Sequence, residues 1–465
     1  MRLPWEVAAP ASAAILGTLV LVSWLVTGRA EPTERRVPID RPAAEASAHT
    51  DAEPIEPQWH PGPGHAGQDR GNWPQFRGPD RTGWIEPPEP LARSWGESGP
   101  RPVWKLEVGE GYAAPTVADG RVYMIDYDMD SQADALRCLS LDDGRGIWRK
   151  CYPIAFKRSR GMSRTVPAIA DNTVVSIGPK CHVLAVDAQG GRLKWFINMV
   201  ERFGTTVPPW YTGQCPLIDR GKVILAPAGP EVLMAAADLK TGELRWTTPN
   251  PMGWSMTHSS IVPMDLEGRR MYVYCGSGGV AGVDAESGEL LWHSDQWRVP
   301  IATIASPVVV GPGLIFLSGG YNSGSMLMRI EADAEQGYET RVLWKLSADE
   351  FGATQHTPIF HRDHIFGIRP DGQLVCLDLD GRIQWASGPR ARFGLGPLLI
   401  ADDLIYLMDD RGRLTLVELS TEAYRPLDTA RVLDGRESWG PLALAGDRLL
   451  VRDLMTIKCL DVGMP

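Results

Sequence analysis

Seven tryptophans recur along the sequence at intervals of 41 to 52 residues: Trp104, Trp148, Trp195, Trp246, Trp292, Trp344 and Trp385. Five of them end near-copies of one phrase: CLSLDDGRGIW at 138–148, AVDAQGGRLKW at 185–195, AADLKTGELRW at 236–246, GVDAESGELLW at 282–292 and CLDLDGRIQW at 376–385. In each copy an apolar run leads into a polar turn, and the tryptophan follows four residues after a glycine. Because glycine tolerates positive φ, this pattern predicts a β-hairpin. A hairpin repeated at this period is typical of a β-propeller.

A second pair of strands is predicted upstream of each hairpin, as in APTVADGRVYMI at 114–125, which gives four strands per blade. The inner strands are predicted to open at Pro115, Pro167, Pro216, Ser260, Pro307, Pro358, Pro397 and Pro441. We therefore expect eight blades. The last blade lacks a tryptophan strand and Trp104 precedes the first blade, so residues 102–107 are predicted to pair within the blade of residues 449–460. Such a closure leaves no long sheet edge exposed.

The repeat resembles the PQQ-like propeller family, named for pyrroloquinoline quinone, whose blade signature is Ala-x-Asp-x-x-Thr-Gly-x-x-x-Trp. The best match runs from Ala237 through Asp238 and Gly242 to Trp246, and the resemblance covers about 100–463. It implies an all-β, eight-bladed, quinoprotein-dehydrogenase-like propeller in which the seven tryptophans dock between neighbouring blades. The phrase NWPQFRGPDRTG at 72–83 resembles the opening of many bacterial secreted or anchored members. Blades five and seven depart from the signature, because Glu331 and Glu418 stand where the Asp is expected.

The N-terminal segment has a different composition from the repeats. Residues 7–26 carry no charge and are long enough to span a bilayer, so an anchor is predicted over 1–27, with a cleaved signal peptide as the alternative. Residues 28–70 are rich in Pro, Ala and Glu and are predicted to form a disordered tether, followed by a lead-in at 71–100 and the propeller at 101–465. The family resemblance implies a propeller on the periplasmic side of the membrane. The arginines after the span favour the opposite orientation, which leaves the orientation open.

Net charge and cysteine spacing exclude several classes of function. The formal charge of −10, without a basic block, argues against a nucleic-acid partner. The seven cysteines include no C-x-x-C, no adjacent pair and no C-x-x-C-H, which excludes haem attachment and a tetracysteine zinc site. The missing adjacent pair also removes the vicinal disulfide that a true quinoprotein dehydrogenase of this family would carry. Cys138, Cys376 and Cys459 occupy a repeat position that is Ala or Gly elsewhere, so they are expected to be small buried residues.

The residues just before each inner strand are expected to face the mouth of the central channel. Candidate ligand-binding residues there are Tyr112, Arg164, Gln214, His258, Gln355, His356 and Trp439. Such a mixture of donors and aromatics suits a polar or planar ligand. The alternative is that these side chains only satisfy buried backbone groups around the channel. The set contains no carboxylate for a calcium ion, so neither a metal, nor PQQ, nor a catalytic residue is expected.

These observations favour a membrane-anchored scaffold for binding or assembly, similar to the BamB-like, non-enzymatic members of the family. The expected partner is a protein or a small polar ligand, with membrane contact through the N-terminal helix. The alternative is a PQQ-dependent quinoprotein-type oxidoreductase that binds PQQ and calcium. Fold alone does not decide between them, because propellers carry many unrelated functions.

Overall fold

The structure is a computed structural model that describes residues 55–157, 161–333 and 337–464, together with Thr18. The chain divides into two units, Met1–Glu53 and Pro54–Pro465. The anchor predicted at 1–27, or the signal peptide that is its alternative, and the tether up to residue 54 lie outside the described residues, apart from Thr18. In the parts of the chain that the structure describes, no helix has both the length and the apolar character needed to cross a membrane.

The regular secondary structure described in the second unit is almost entirely β-strand. Three strands precede the repeats: β1 (Gln58–Pro61), β2 (Trp84–Ile85) and β3 (Arg101–Glu107). Blade one contains β4 (Thr116–Ala118), β5 (Arg121–Asp128), β6 (Ala133–Ser140) and β7 (Gly146–Pro153). Blade two contains β8 (Ala168–Ala170), β9 (Thr173–Ile177), β10 (His182–Asp187) and β11 (Leu193–Asn198), and the short helix α1 (Met199–Phe203) follows it.

Blades three to seven continue the same order of strands. Blade three contains β12 (Leu217–Asp219), β13 (Lys222–Leu225), β14 (Val232–Asp238) and β15 (Leu244–Pro249). Blade four contains β16 (Val262–Leu266), β17 (Arg269–Gly276), β18 (Gly279–Asp284) and β19 (Leu290–Ser294). Blade five contains β20 (Val308–Gly311), β21 (Leu314–Gly319), β22 (Gly324–Asp333) and β23 (Gly337–Leu346). Blade six contains β24 (Ile359–His361), β25 (His364–Ile368), β26 (Leu374–Asp378) and β27 (Ile383–Ala386), and blade seven contains β28 (Leu398–Ala401), β29 (Leu404–Met408), β30 (Arg413–Glu418) and β31 (Arg425–Arg431).

The eighth blade closes the ring with strands from both ends of the propeller. It contains β32 (Ala443–Ala445), β33 (Arg448–Arg452) and β34 (Thr456–Asp461), and its fourth strand is β3. Trp104 of β3 lies opposite Cys459 of β34 in this antiparallel pair. The predicted eight-bladed, four-stranded propeller and its closure are therefore confirmed.

At five junctions a hairpin tryptophan is hydrogen-bonded to the next blade. Trp104, Trp148 and Trp195 donate their indole N–H to carbonyls of the following blade, at 2.8, 3.2 and 2.9 Å. Trp344 and Trp385 do the same, at 2.8 and 2.9 Å. The turn glycine of the next hairpin lies against the ring: a Cβ on Gly144, whose φ is 70°, would approach the Trp104 ring to 2.8 Å. Glycine is thus required for both the turn and the contact.

The junction after blade four lacks this arrangement. Strands β22 and β23 of blade five have ten residues each, so their hairpin is longer than the signature hairpin and offers no turn glycine at this level. Trp292 instead donates its N–H to the sulfur of Met271 in its own blade, at 3.4 Å. The Glu331 departure in the sequence therefore marks a blade with different packing.

The predicted inner-strand openings are wrong by one residue in blades four and eight. Strands β16 and β32 begin at Val262 and Ala443, so the residues before them are Ile261 and Leu442, not Ser260 and Pro441. In the other six blades a proline stands directly before the strand. In blades four and eight this position holds Ile261 and Leu442 in place of proline, so the prediction fell on the residues just before them, Ser260 and Pro441.

The predicted tether does not extend to residue 70. Strand β1 pairs antiparallel with β7, with Gln58 opposite Cys151 and Pro61 opposite Trp148. Gly62, Gly64 and Gly67 continue along blade one through backbone hydrogen bonds. The composition of this stretch is typical of a disordered segment. Its strand β1 is nevertheless hydrogen-bonded to the free edge of β7, the outer strand of blade one.

Residues 73–85, the channel plug, lie against the inner strands of five blades. Trp73 bridges Val117 of blade one, and Pro74 accepts a hydrogen bond from Ile169 of blade two. Strand β2 pairs parallel with β28 of blade seven. The arginines of the plug donate to carbonyls of blades three and six: Arg81 to Pro216, and Arg77 to Thr357 and Pro358. The motif at 72–83 thus enters the channel from the hairpin face, where the tryptophan hairpins turn.

Candidate functional site: the channel mouth

The mouth face is the end of the channel where the inner strands begin. Near the ring closure, aromatic and acidic side chains contact one another at this face. The hydroxyl of Tyr112 donates to Glu437 at 2.5 Å, and the rings of Tyr112 and Trp439 lie 5.3 Å apart. Trp439 donates its N–H to Asp410 of the β29–β30 turn at 2.7 Å. Burial and then the Glu437 carboxylate raise the pKa of Tyr112, so the phenol stays protonated and donates.

A basic and aromatic group continues the mouth over blades two to four. The guanidinium of Arg164 lies 5.1 Å from the centre of the Tyr112 ring, and its Nε donates to the Trp210 carbonyl at 2.6 Å. The Trp210 ring in turn lies 6.4 Å from the imidazole of His258. Burial, reinforced by the charge of Arg164, lowers the pKa of His258 to about 3. Its Nε2 is buried and has no hydrogen-bond partner among the described residues.

Two predicted ligand residues bond to their own blades. Gln214 is fully buried and pairs with both backbone groups of Ala226, at 3.2 and 2.9 Å. His356 accepts a hydrogen bond from the Ile368 N–H at 2.9 Å, and burial lowers its pKa to about 3. Gln355 beside it is half-buried. For Gln214 and His356 the contacts match the backbone-satisfying alternative, whereas Tyr112, Arg164, His258 and Trp439 form one connected group.

The predicted set contains no carboxylate, but the structure brings carboxylates from outside the set against it. Glu437 and Asp410 both contact predicted residues there, through Tyr112 and Trp439. They were missed because they lie in the loops after blade seven and within it, outside the repeat position that was compared between blades. The DDRG turn at 409–412 and the closeness of Glu437 to Trp439 were the available signals.

A series of hydrogen bonds links the inner strands of blades two to six below the mouth. Each backbone N–H donates to the side chain at the same position of the next blade: Val166 to Cys215 Sγ at 3.2 Å, Cys215 to Ser260 Oγ, Ser260 to Ser306 Oγ and Ser306 to Thr357 Oγ1, each at 3.0 Å. Small polar residues recur at this position because they satisfy buried backbone donors. This series fixes the neighbouring side chains relative to each other.

The mouth does not fit calcium-bound PQQ. No group of three or more His, Cys, Asp or Glu side chains suited to a metal ion occurs among the described residues. Glu437 and Asp410 already accept hydrogen bonds from Tyr112 and Trp439. All seven cysteines are free, and Cys138, Cys376 and Cys459 are fully buried.

Residues 132–387, just over half of the chain, match the PQQ-like repeat family that is described as "Outer membrane protein assembly factor BamB". The chain belongs to this family. Its relatives include the outer membrane protein assembly factor BamB of Moranella endobia, 20% identical over 71% of this chain and 72% of the relative. BamB of Shewanella oneidensis is 22% identical over 55% of this chain and 64% of its own length.

Two solved structures share the fold. The quinohemoprotein alcohol dehydrogenase of Comamonas testosteroni superposes with a TM-score of 0.60 at 14% identity, over 85% of this chain and 81% of that one. BamB from Moraxella catarrhalis superposes with a TM-score of 0.53 at 16% identity, over 78% of this chain and 99% of that one. At this identity the two likenesses concern architecture only, because one propeller fold carries both enzymes and assembly factors.

Proposed function

We propose that this protein is a non-enzymatic scaffold of the outer-membrane assembly type, which binds a protein partner at the channel mouth. This proposal is supported by membership of the family described as outer membrane protein assembly factor BamB. The two BamB relatives, at 20% and 22% identity, support it as well. The proposed location is outside the cytoplasm, on the periplasmic side, with the propeller held at a membrane through the segment at 1–27.

The observation that carries the proposal is the connected group at the mouth. Arg164, Tyr112 and Trp439 combine a cation, a hydroxyl and two aromatic rings within 5.1 and 5.3 Å. Aromatic and arginine side chains of this kind dominate the binding energy of protein interfaces. The hairpin end of the channel is occupied by the plug, so the mouth is the end that offers such groups to a partner.

The quinoprotein-type oxidoreductase remains the rival function, and its cofactor makes it testable. We expect no stoichiometric quinone absorption when the purified protein is mixed with PQQ and calcium, because the mouth offers no ligand set for the metal. A quinone band that disappears when calcium is chelated would favour the enzyme.

The proposal is tested by co-purification of the full chain, in detergent, from its native membrane. The Arg164→Ala variant should lose most of a specific protein partner, because this cation lies at the centre of the mouth group. Arg192→Ala is the matched control, since Arg192 is exposed in the β10–β11 hairpin on the opposite face. Equal recovery of the partner with both variants would contradict binding at the mouth.

A further inference from the structure

Two arginines of the channel plug, the buried Arg81 and the half-buried Arg77, have no acidic partner among the described residues. Arg81 is 4% exposed, and Arg77 donates its Nε to the Arg81 carbonyl at 3.1 Å. Among the described residues both guanidinium groups bond only to uncharged oxygens. The acceptors are the carbonyls of Thr82, Pro216, Thr357 and Pro358 and the amide oxygen of Gln75. Two positive charges therefore lie side by side inside the channel with no carboxylate to balance them.

Two buried hydrogen-bond donors in this region have no acceptor. Arg81 Nη2 has no hydrogen-bond partner among the described residues. His356 Nε2 accepts from Ile368, so the single proton of the neutral imidazole is on Nδ1, which is also buried and without a partner. His356 lies close enough to Arg77 that the charge of Arg77 contributes to lowering its pKa. The plug thus presents an unpaired donor beside two positive charges, and His356 adds a second unpaired donor near Arg77.

The energetics favour an anion over a water molecule as the occupant. Burial and the neighbouring Arg81 lower the pKa of Arg77 to about 9, and burial lowers that of Arg81 to about 10. Burying a cation without a counter-charge is costly, and carbonyl dipoles offset only part of that cost. A water molecule would accept the hydrogen bonds but leave both charges unbalanced.

The packing around Arg81 limits the occupant to a small ion. Phe76 packs against Ala114, Val166 and Cys215 on the inner strands, and the Arg81 guanidinium lies 5.8 Å from the Phe76 ring. The plug itself therefore fills much of the channel at this level. We propose that a small monovalent anion of the halide class binds beside Arg81 Nη2, with the Arg77 guanidinium as the neighbouring positive charge. This site lies on the plug and does not depend on the function proposed for the mouth.

Crystals of the full chain grown or soaked in sodium bromide test the site directly. Anomalous scattering at the bromine edge should show a peak within hydrogen-bond distance of Arg81 Nη2. Density without anomalous signal at that place identifies a water molecule and overturns the proposal. This measurement requires no substitution, so it is independent of whether any variant folds.

Thermal unfolding provides the second measurement, with chloride compared to gluconate at constant ionic strength. The melting temperature of the wild type should rise saturably with chloride, by about 2 °C at ten times the dissociation constant. The Arg81→Gln variant should lose this rise, whereas the control Arg192→Gln should keep it. A bromide peak in crystals without a saturable rise below about 150 mM, near physiological ionic strength, would show an adventitious ion only and would contradict the proposal.

Discussion

The two ends of the channel are made from different parts of the repeat. At the hairpin face, a tryptophan and a glycine recur in most blades, and one contact type connects most neighbours. At the mouth face, blades contribute unlike side chains from loops, such as Tyr112, Arg164, His258 and Trp439. The difference teaches that repetition connects the blades of this propeller, whereas departures from the repeat supply the side chains of the proposed binding face.

The largest expected effect comes from opening the ring. Deleting residues 100–108 removes β3 and the Trp104 contact with blade one, and should lower the free energy of unfolding by several kcal/mol, on the order of losing a buried aromatic. Truncating the chain to begin at Gly62 removes β1, whose four residues are all exposed, and should cost much less. Calorimetry on both proteins decides this prediction, and an unchanged melting temperature in the deletion would contradict the closure.

Single docking tryptophans should show the next largest effect. Trp195→Ala, and likewise the change at Trp246 or Trp292, should cost about 3 to 5 kcal/mol, because removing a large buried ring leaves a cavity in the packed blades. Trp59→Ala in β1, where the side chain is 48% exposed, should cost less than about 1 kcal/mol. Urea denaturation of the four variants measures the difference, and equal costs at the two kinds of position would refute the docking role.

Acid stability should depend on the mouth histidine. The folded pKa of His258 is about 3, below the ordinary 6.5, so the unfolded chain binds more protons between these values. Stability is therefore lost as the pH falls from about 6.5 towards 3, by about 2 kcal/mol at pH 5 from this residue. His258→Gln should flatten the acid limb of the stability curve, while the exposed His293→Gln should leave it unchanged. Parallel curves for wild type and His258→Gln would show that the imidazole is not buried as a neutral group.

The smallest effect on stability is expected at Arg164. Its guanidinium is half-buried, with the Trp210 carbonyl and the Tyr112 ring among its contacts, so Arg164→Ala should lower the free energy of unfolding by about 1 kcal/mol. Chemical denaturation of this variant beside Trp195→Ala compares the two faces directly. A loss as large as that of Trp195→Ala would place Arg164 among the structural residues.

The sequence predicted the blades well, because tryptophan and glycine at fixed spacing report a local hairpin. It failed where position depends on contacts distant in sequence. The plug motif was visible, but nothing in it indicates that Arg77 reaches the carbonyls of blade six, 280 residues away. Glu437 and Asp410 were missed for the same reason, and Ser260 was misplaced because Ile261 stands where other blades have proline.

The central claim is that the mouth face binds the partner and the hairpin face does not. It is tested most directly by placing a photo-crosslinking amino acid in the full chain, either at Trp210 on the mouth face or at the exposed Leu193 on the hairpin face. After irradiation in the native membrane, the account predicts a discrete protein adduct from position 210 that Arg164→Ala abolishes, and no adduct from position 193. The same adduct from both positions, or one from position 193 alone, would contradict it.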